Sequence, residues 1–415
     1  MSIDFLKAKA LTVDGRQLHT KASVPLNASK SETNRALMIQ ALSGNPITLN
    51  NLAIARDSQT MQKLVSQPQL DPWDVLDAGT TMRFLTAFLA MQQDTKTITG
   101  TARMQQRPIN PLVDALRTLG AEIEYLKNEN YPPLKITGMK SQLTRKISIP
   151  GNISSQYISA LLMIGPLLPE GIEIELTSEV YSRPYIEMTL GLMAHFGVTH
   201  EWTGQTISIT PQEYQSDRYT IESDWSGASY WYSIAALSGK STITLGGLKE
   251  KSFQGDQEIA WIMERLGVTT SYTHYGVVLL PGKANKQVSL DFRECPDLAQ
   301  TVMAVASVKG TKLHMTGLES LKIKETDRIL AMQQELDKIG GKLIEDGNTW
   351  TLIPGGDQFA DNIVFDTYED HRMAMALAPV GIIKPVVIEE PGVVVKSYPD
   401  YWAHLDAVGF SLEGN

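Results

Sequence analysis

Apolar positions in this chain fall into two recurring kinds of run. One is a block of small and apolar residues opened by a polar turn, as expected of a helix buried on most sides. The other is a short alternating stretch beside a glycine, the pattern of a half-buried strand. The two follow each other in a fixed order. Residues 27–42 lead into Ile47-Thr48-Leu49, 77–91 into Thr97-Ile98-Thr99-Gly100 and 151–168 into 172–176. Residues 224–237 lead into 242–246, 295–308 into 312–315 and 369–381 into Val386-Val387-Ile388, which makes six copies. In most copies a second helix follows and stops at a glycine: Gly120, Gly197, Gly267, Gly340 and Gly409, roughly 70 to 77 residues apart. A glycine just past a helix end predicts a left-handed residue there, because no Cβ penalises it.

A near-constant period marks a repeat architecture. Each unit reads β-α-β-α-β-β, so the expected fold class is mixed α/β. The first copy is truncated: residues 57–67 read as its second helix, but the strand pair after it is weak. Units this short bury little alone and must associate. With no low-complexity linker in the chain, the natural break divides the six units three and three, near residue 223.

Composition narrows the function classes. The chain has 415 residues, 42% hydrophobic and 20% charged, with a net charge of -9. That balance fits globular domains and argues against a general nucleic-acid binder, while leaving room for a local cationic pocket. No apolar run approaches the ~18 residues that a membrane-spanning helix needs. The opening Met1-Ser2-Ile3-Asp4-Phe5 has neither a basic and apolar leader pattern nor an Arg/Ser-rich one, so a cytoplasmic location is expected. A single cysteine, Cys295, rules out an internal disulfide framework and reads best as a small buried residue. The histidines show no paired ligand spacing, so neither a metal nor a cofactor is expected.

The candidate chemistry sits at helix starts. In residues 27–37, Ser29 and Glu32 have capping-box spacing, Ser31 is a second possible cap, and Lys30 and Arg35 flank the helix opening. The other first-helix turns carry Gly79, Thr80 and Arg83; Ser154, Ser155 and Gln156; Asp297; and Asp370, His371 and Arg372. The second-helix turns carry Arg107-Pro108, Ser182-Arg183-Pro184-Tyr185, Lys324-Glu325-Thr326-Asp327-Arg328 and Lys396-Ser397-Tyr398-Pro399. Free N–H groups, helix dipoles and cations together suit phosphate and carboxylate. Taken singly, several of these residues have plainer readings. Arg328 fits a solvated charge run, Ser154-Ser155 and Asp297 fit helix caps, and His371 fits a core histidine.

Taken in order, the motifs resemble one family. They are Ser29-Lys30-Ser31-x-x-Asn34-Arg35-Ala36-Leu37, Ala78-Gly79-Thr80-x-Met82-Arg83, Arg103-Met104-x-x-Arg107-Pro108, Ser154-Ser155-Gln156, Lys324-Glu325-Thr326-Asp327-Arg328 and Asp370-His371-Arg372-Met373-Ala374-Met375. This series, spread over residues 20–402, is similar to the 5-enolpyruvylshikimate-3-phosphate synthases. The resemblance implies an inverse α/β barrel fold of two pseudo-threefold domains, at 30–222 and at 1–29 with 223–415, whose helix starts face a cleft. It implies transfer of the enolpyruvyl group of phosphoenolpyruvate to the 5-hydroxyl of shikimate 3-phosphate, with loss of phosphate, by a monomer. It assigns shikimate 3-phosphate to Ser31, Arg35, Ser154, Ser155, Gln156, Ser182, Tyr185, Asp297, Ser320 and Lys324. It assigns phosphoenolpyruvate to Lys30, Gly79, Arg107, Gln156, Arg328, Arg372 and Lys396. The catalytic set is Asp297, Glu325 and Lys30: Glu325 works at carbon 3 of the enol, Asp297 at the 5-hydroxyl, and Lys30 neutralises the departing phosphate.

Three departures from the family pattern stand out. Asp77 occupies the place of an Asn before Ala-Gly-Thr, where a carboxylate repels an anion unless it turns away as a cap. Ser320 stands where an Asn often touches shikimate 3-phosphate, and 57–75 is short enough to imply a trimmed or disordered first unit. Two rivals remain at this point. One is the sister transferase acting on a UDP-amino sugar, many members of which carry a cysteine in the loop that here reads 101–108 without one. The other is a non-catalytic anion-binding scaffold, which would need no paired acid and base.

Overall fold

The computed structural model describes residues 5–414, so the reading of Met1–Asp4 lies outside the described residues. The chain divides into two compact units: one is Lys30–Ile221, and the other joins the chain up to Ser29 to everything from Glu222 onward.

Within each unit, three buried helices form the centre and sheets lie around them. In the Lys30–Ile221 unit the central helices are Lys30–Leu42, Gly79–Ala90 and Ser155–Ile164, which pack on one another. In the other unit they are Trp225–Ser238, Ala299–Lys309 and His371–Leu377. Ser155–Ile164 is buried at nearly every position and Ala299–Lys309 at all but its last, which explains why these segments are small and apolar all round.

Five sheets have four strands and share one pattern. The first strand runs parallel to the second, across the central helix, and the closing pair adds antiparallel. Lys146–Ile149 with Ile172–Leu176, then Thr206–Ile209 and Glu201–Thr203, is an example. The sixth sheet is only a parallel pair, Thr48–Asn50 with Arg218–Thr220. It belongs to the first copy, whose missing strand pair the sequence indicates. The short stretch after it is nevertheless ordered: Arg56–Ser66 is a full helix and Trp73–Asp74 a strand of the next sheet, so the expected disorder does not hold.

Two sheets recruit strands from far along the chain. Lys21–Val24 pairs in parallel with Thr242–Gly246. Ala10–Asp14 lies between Val386–Glu389 and Ser411–Gly414, completing the last repeat with the first strand of the protein. Where the chain leaves and re-enters this unit, the two passing segments are bonded to each other. Ser29 N donates to Glu222 O at 2.8 Å, and Asp224 N to Asn27 O at 2.9 Å.

All five helix-ending glycines have positive φ: Gly120 at 121°, Gly197 at 85°, Gly267 at 94°, Gly340 at 76° and Gly409 at 104°. At four of them the next residue's N–H closes a bond back to the helix, such as Ala121 N to Leu116 O at 2.9 Å and Gly341 N to Leu336 O at 2.8 Å. This is the Schellman arrangement. Among the described residues no helix is long and apolar enough to cross a membrane.

At Gly120 a Cβ would also lie 2.5 Å from the Ser141 carbonyl oxygen, whereas at Gly340 nothing approaches closer than 3.5 Å. Gly120→Ala is therefore expected to cost clearly more than the ~1 kcal/mol of left-handed strain that Gly340→Ala incurs. Comparing the two variants' unfolding midpoints in urea checks this, and equal shifts would overturn it.

Candidate active site

In the larger unit the functional groups gather around a buried guanidinium. Arg328 opens the helix Arg328–Asp337, whose cap is Asp327, accepting from Ile329 N and Leu330 N at 3.1 Å each. Its own side chain is buried and meets three carboxylates. Nε donates to Asp370 Oδ2 at 2.7 Å, Nη1 to Asp297 Oδ1 at 3.1 Å and Nη2 to Glu325 Oε2 at 2.9 Å. The plainer reading of Arg328 as a surface charge is thereby excluded.

The remaining cations complete a ring. Arg372 Nη2 reaches Asp297 Oδ2 at 2.8 Å, Lys324 Nζ lies 3.6 Å from Asp297 Oδ1, and Lys396 Nζ lies 3.1 Å from Glu325 Oε1. Four cations thus surround three carboxylates, Asp297, Glu325 and Asp370, leaving a net positive centre. Burial works to raise the Asp297 carboxyl, but Arg372, Lys324 and Arg328 outweigh it and hold it well below the usual carboxylate range. Burial likewise opposes the charge on Arg328, and Asp370, Glu325 and Asp297 more than restore it.

Helix starts explain the placement. Asp297 lies in the turn Pro296–Leu298 just before the central helix Ala299–Lys309. Asp370 caps the central helix His371–Leu377, accepting from Arg372 N at 2.9 Å while its carboxylate grips Arg328. Asp370 is fully buried and was not among the expected ligands; its position as the cap before His371-Arg372 was the available signal. Ser320 is half-buried in the turn Glu319–Ile323. Cys295 is buried, and burial pushes its thiol up, away from any nucleophilic role.

The Lys30–Ile221 unit carries its own cluster. Lys30 begins its helix and its Nζ sits 3.3 Å from Asp57 Oδ2, a buried carboxylate that sequence inspection passed over. Gly79 begins the helix Gly79–Ala90 with Arg107 laid directly on it: a Cβ there would fall 2.8 Å from Arg107 Nη1. Arg83 ties the same start to the Arg-Pro loop, donating to Gly79 O at 3.1 Å and Pro108 O at 3.0 Å. Gln156 Nε2 donates to Thr80 Oγ1 at 3.0 Å, which brings the starts of two central helices together.

Ser154 caps the helix Ser155–Ile164 through Gln156 N at 3.4 Å; Ser154 is exposed and Ser155 buried. Ser182 precedes the helix Arg183–His195 in a left-handed conformation, φ 55°, which is strained for a residue with a Cβ and marks a constrained turn. Tyr185 is half-buried on that helix.

Arg35 lies deep in this cluster. It is only 2% exposed, and its guanidinium donates to Thr189 Oγ1 at 2.7 Å, Ser31 O at 2.9 Å, Tyr185 O at 3.1 Å and Ser159 Oγ at 3.4 Å. Burial pushes it down to about 10, against Tyr185 and Glu32, so it stays charged at neutral pH. Its hydrogen bonds hold the backbone of Ser31 and Tyr185. At Asp77, the cap position of the Gly79 helix is Ala78, and the Asp77 carboxylate pairs with Arg56 Nη2 at 2.7 Å.

A repeat fold of this kind, with cations and paired carboxylates at its helix starts, is that of the inverse-barrel enolpyruvyl transferases. In structure the chain resembles the EPSP synthase of Acinetobacter baumannii, with a TM-score of 0.81 at 18% identity, over 97% of this chain and 99% of that one. Residues 65–405 match the family model for EPSP synthase (3-phosphoshikimate 1-carboxyvinyltransferase). A 3-phosphoshikimate 1-carboxyvinyltransferase of Bacteroides fragilis is 50% identical over 399 residues, covering 95% of this chain and 96% of the relative. That of Photobacterium profundum is 36% identical, covering 92% of this chain and 95% of the relative. The chain belongs to the EPSP synthase family, which does not favour the UDP-amino sugar and scaffold alternatives.

The sign of the Asp297 shift gives a pH test. A carboxyl held low in the folded state contributes stability that is complete above its unfolded value, about 4, and is lost as pH falls toward the folded value. The gap in thermal midpoint between the unsubstituted protein and Asp297→Asn is thus expected to be constant from pH 7 down to about 5 and to shrink below about 4. A gap that grows on acidification would overturn the assignment.

Proposed function

We propose that this chain, acting as a monomer in the cytoplasm, transfers the enolpyruvyl group of phosphoenolpyruvate to the 5-hydroxyl of shikimate 3-phosphate and releases inorganic phosphate. The observation that carries the reading is the Asp297–Glu325 pair held among Lys324, Arg328, Arg372 and Lys396. Anion binding alone needs cations; it gives no reason to hold two carboxylates among them.

Carbon 3 of the enol takes a proton while the 5-oxygen attacks carbon 2. The tetrahedral intermediate then loses phosphate, and carbon 3 gives a proton back. Glu325 and Asp297 pair with the surrounding cations and offset part of their charge. Phosphate and carboxylate groups of phosphoenolpyruvate take over Arg328, Arg372 and Lys396, which removes the partners favouring the charged form of Glu325, so that Glu325 takes up a solvent proton as the substrate binds, gives it to carbon 3 in the addition and takes one back in the elimination. Asp297 receives the proton of the 5-hydroxyl and passes it to the departing phosphate. The cations stabilise the charge that develops on the intermediate, and Lys30, with Gly79, Arg107 and Gln156, receives the departing phosphate. Ser31, Arg35, Ser154, Ser155, Gln156, Ser182 and Tyr185 take shikimate 3-phosphate together with Asp297, Ser320 and Lys324; Arg35 also fixes Ser31 and Tyr185. On this reading the Lys30–Ile221 unit supplies most contacts to shikimate 3-phosphate, and the other unit supplies the carboxylates and most of the cations.

Mixing the purified protein with both substrates and following phosphate release tests the reaction. Lys30→Ala and Glu325→Ala are each expected to lower kcat by about a hundred-fold or more with the fold intact by circular dichroism. Near-normal turnover of either variant would remove the role given to that residue. Phosphate release with a UDP-amino sugar in place of shikimate 3-phosphate would overturn the substrate.

A further inference from the structure

We propose that Arg56 is a positioning residue for phosphoenolpyruvate binding: it neutralises Asp77, which would otherwise repel the anion. The proposal rests on the reading of Gly79 and Arg107 as part of that substrate's site. Asp77 lies two residues before Gly79, at the positive end of the helix that Arg107 covers. An ionised carboxylate at that place cancels part of the potential that attracts an anion. It is not fully buried, and the cap position is Ala78: the Asp77 side chain is 27% exposed.

Arg56 is the first residue of the helix Arg56–Ser66, next to the Asp57 that holds Lys30. This helix start therefore manages both neighbouring charges: Asp57 holds the cation Lys30, and Arg56 pairs with the anion Asp77 at 2.7 Å. Stability does not explain the pair. The Arg56 side chain is 41% exposed, where an ion pair contributes little. Its Nε is buried with no hydrogen-bond partner among the described residues, which is unfavourable. What the pair changes is the field at the start of the Gly79 helix.

The test is a double-mutant cycle on the full chain. Arg56→Gln is expected to raise KM for phosphoenolpyruvate by roughly five-fold, with kcat changed less than about two-fold and little shift in thermal midpoint. Arg56→Lys keeps the charge and is expected to stay near the parent. Asp77→Asn alone leaves KM equal or lower, and adding it to Arg56→Gln restores the parent value. A raised KM that persists in the double variant, or no rise in Arg56→Gln, overturns the proposal. The same cycle read by calorimetric binding of phosphoenolpyruvate separates it from the reaction assigned above. Coupled affinities without phosphate release would keep the pair and sink the reaction; turnover with uncoupled variants would do the reverse.

Discussion

A guanidinium can be buried only if acceptors for its N–H groups are buried with it. Arg328 is buried, and the cost of desolvating it is met by Asp370, Asp297 and Glu325. Those three come from the turn before one central helix, the cap of another and the loop leading into the Arg328 helix itself. Satisfying one cation therefore fixes three separate helix starts against each other. Of the three carboxylates only Asp370 is fully buried, so its removal is expected to destabilise the cluster most.

The smaller cluster solves the same problem differently. Arg35 is buried with no carboxylate among its hydrogen bonds; two carbonyls and two hydroxyls satisfy it instead. Neutral acceptors hold its N–H groups, and Glu32 offsets part of its charge without touching it through a hydrogen bond. Lys30 is treated in the opposite way, held by Asp57, whose other oxygen is buried without a partner. One cation is a fixed background charge, and the other is a side chain on a short tether.

Local features of this architecture were readable from the sequence, and long-range pairings were not. The helix-ending glycines predicted positive φ because a C′ residue obeys a rule that spans one turn of helix, and Gly120 through Gly409 follow it. The truncated first copy was visible because a missing strand pair leaves a gap in the pattern, and Thr48–Asn50 with Arg218–Thr220 is what remains. Arg328 looked like a solvated charge because its sequence neighbours are charged; only contacts with Asp370, 42 residues on, and with Asp297, 31 residues back, show it to be interior. Arg35 shows the same limit: its hydrogen bond to Thr189, 154 residues away, has no local signature.

The strand Ala10–Asp14 has a consequence for how the protein is made. It needs Val386–Glu389 and Ser411–Gly414 as neighbours, and Lys21–Val24 needs Thr242–Gly246. The Lys30–Ile221 unit, by contrast, is continuous in sequence. During synthesis that unit can close while the rest of the chain is still being added, whereas Lys21–Val24 must wait for Thr242–Gly246 and Ala10–Asp14 for strands made roughly 370 residues later. Until then they present unpaired edges, and Lys21 and the exposed charges around Arg16 give those edges some protection against premature pairing. The order of assembly is thus written into the topology: the contiguous unit first, the interrupted one last, sealed by its two ends.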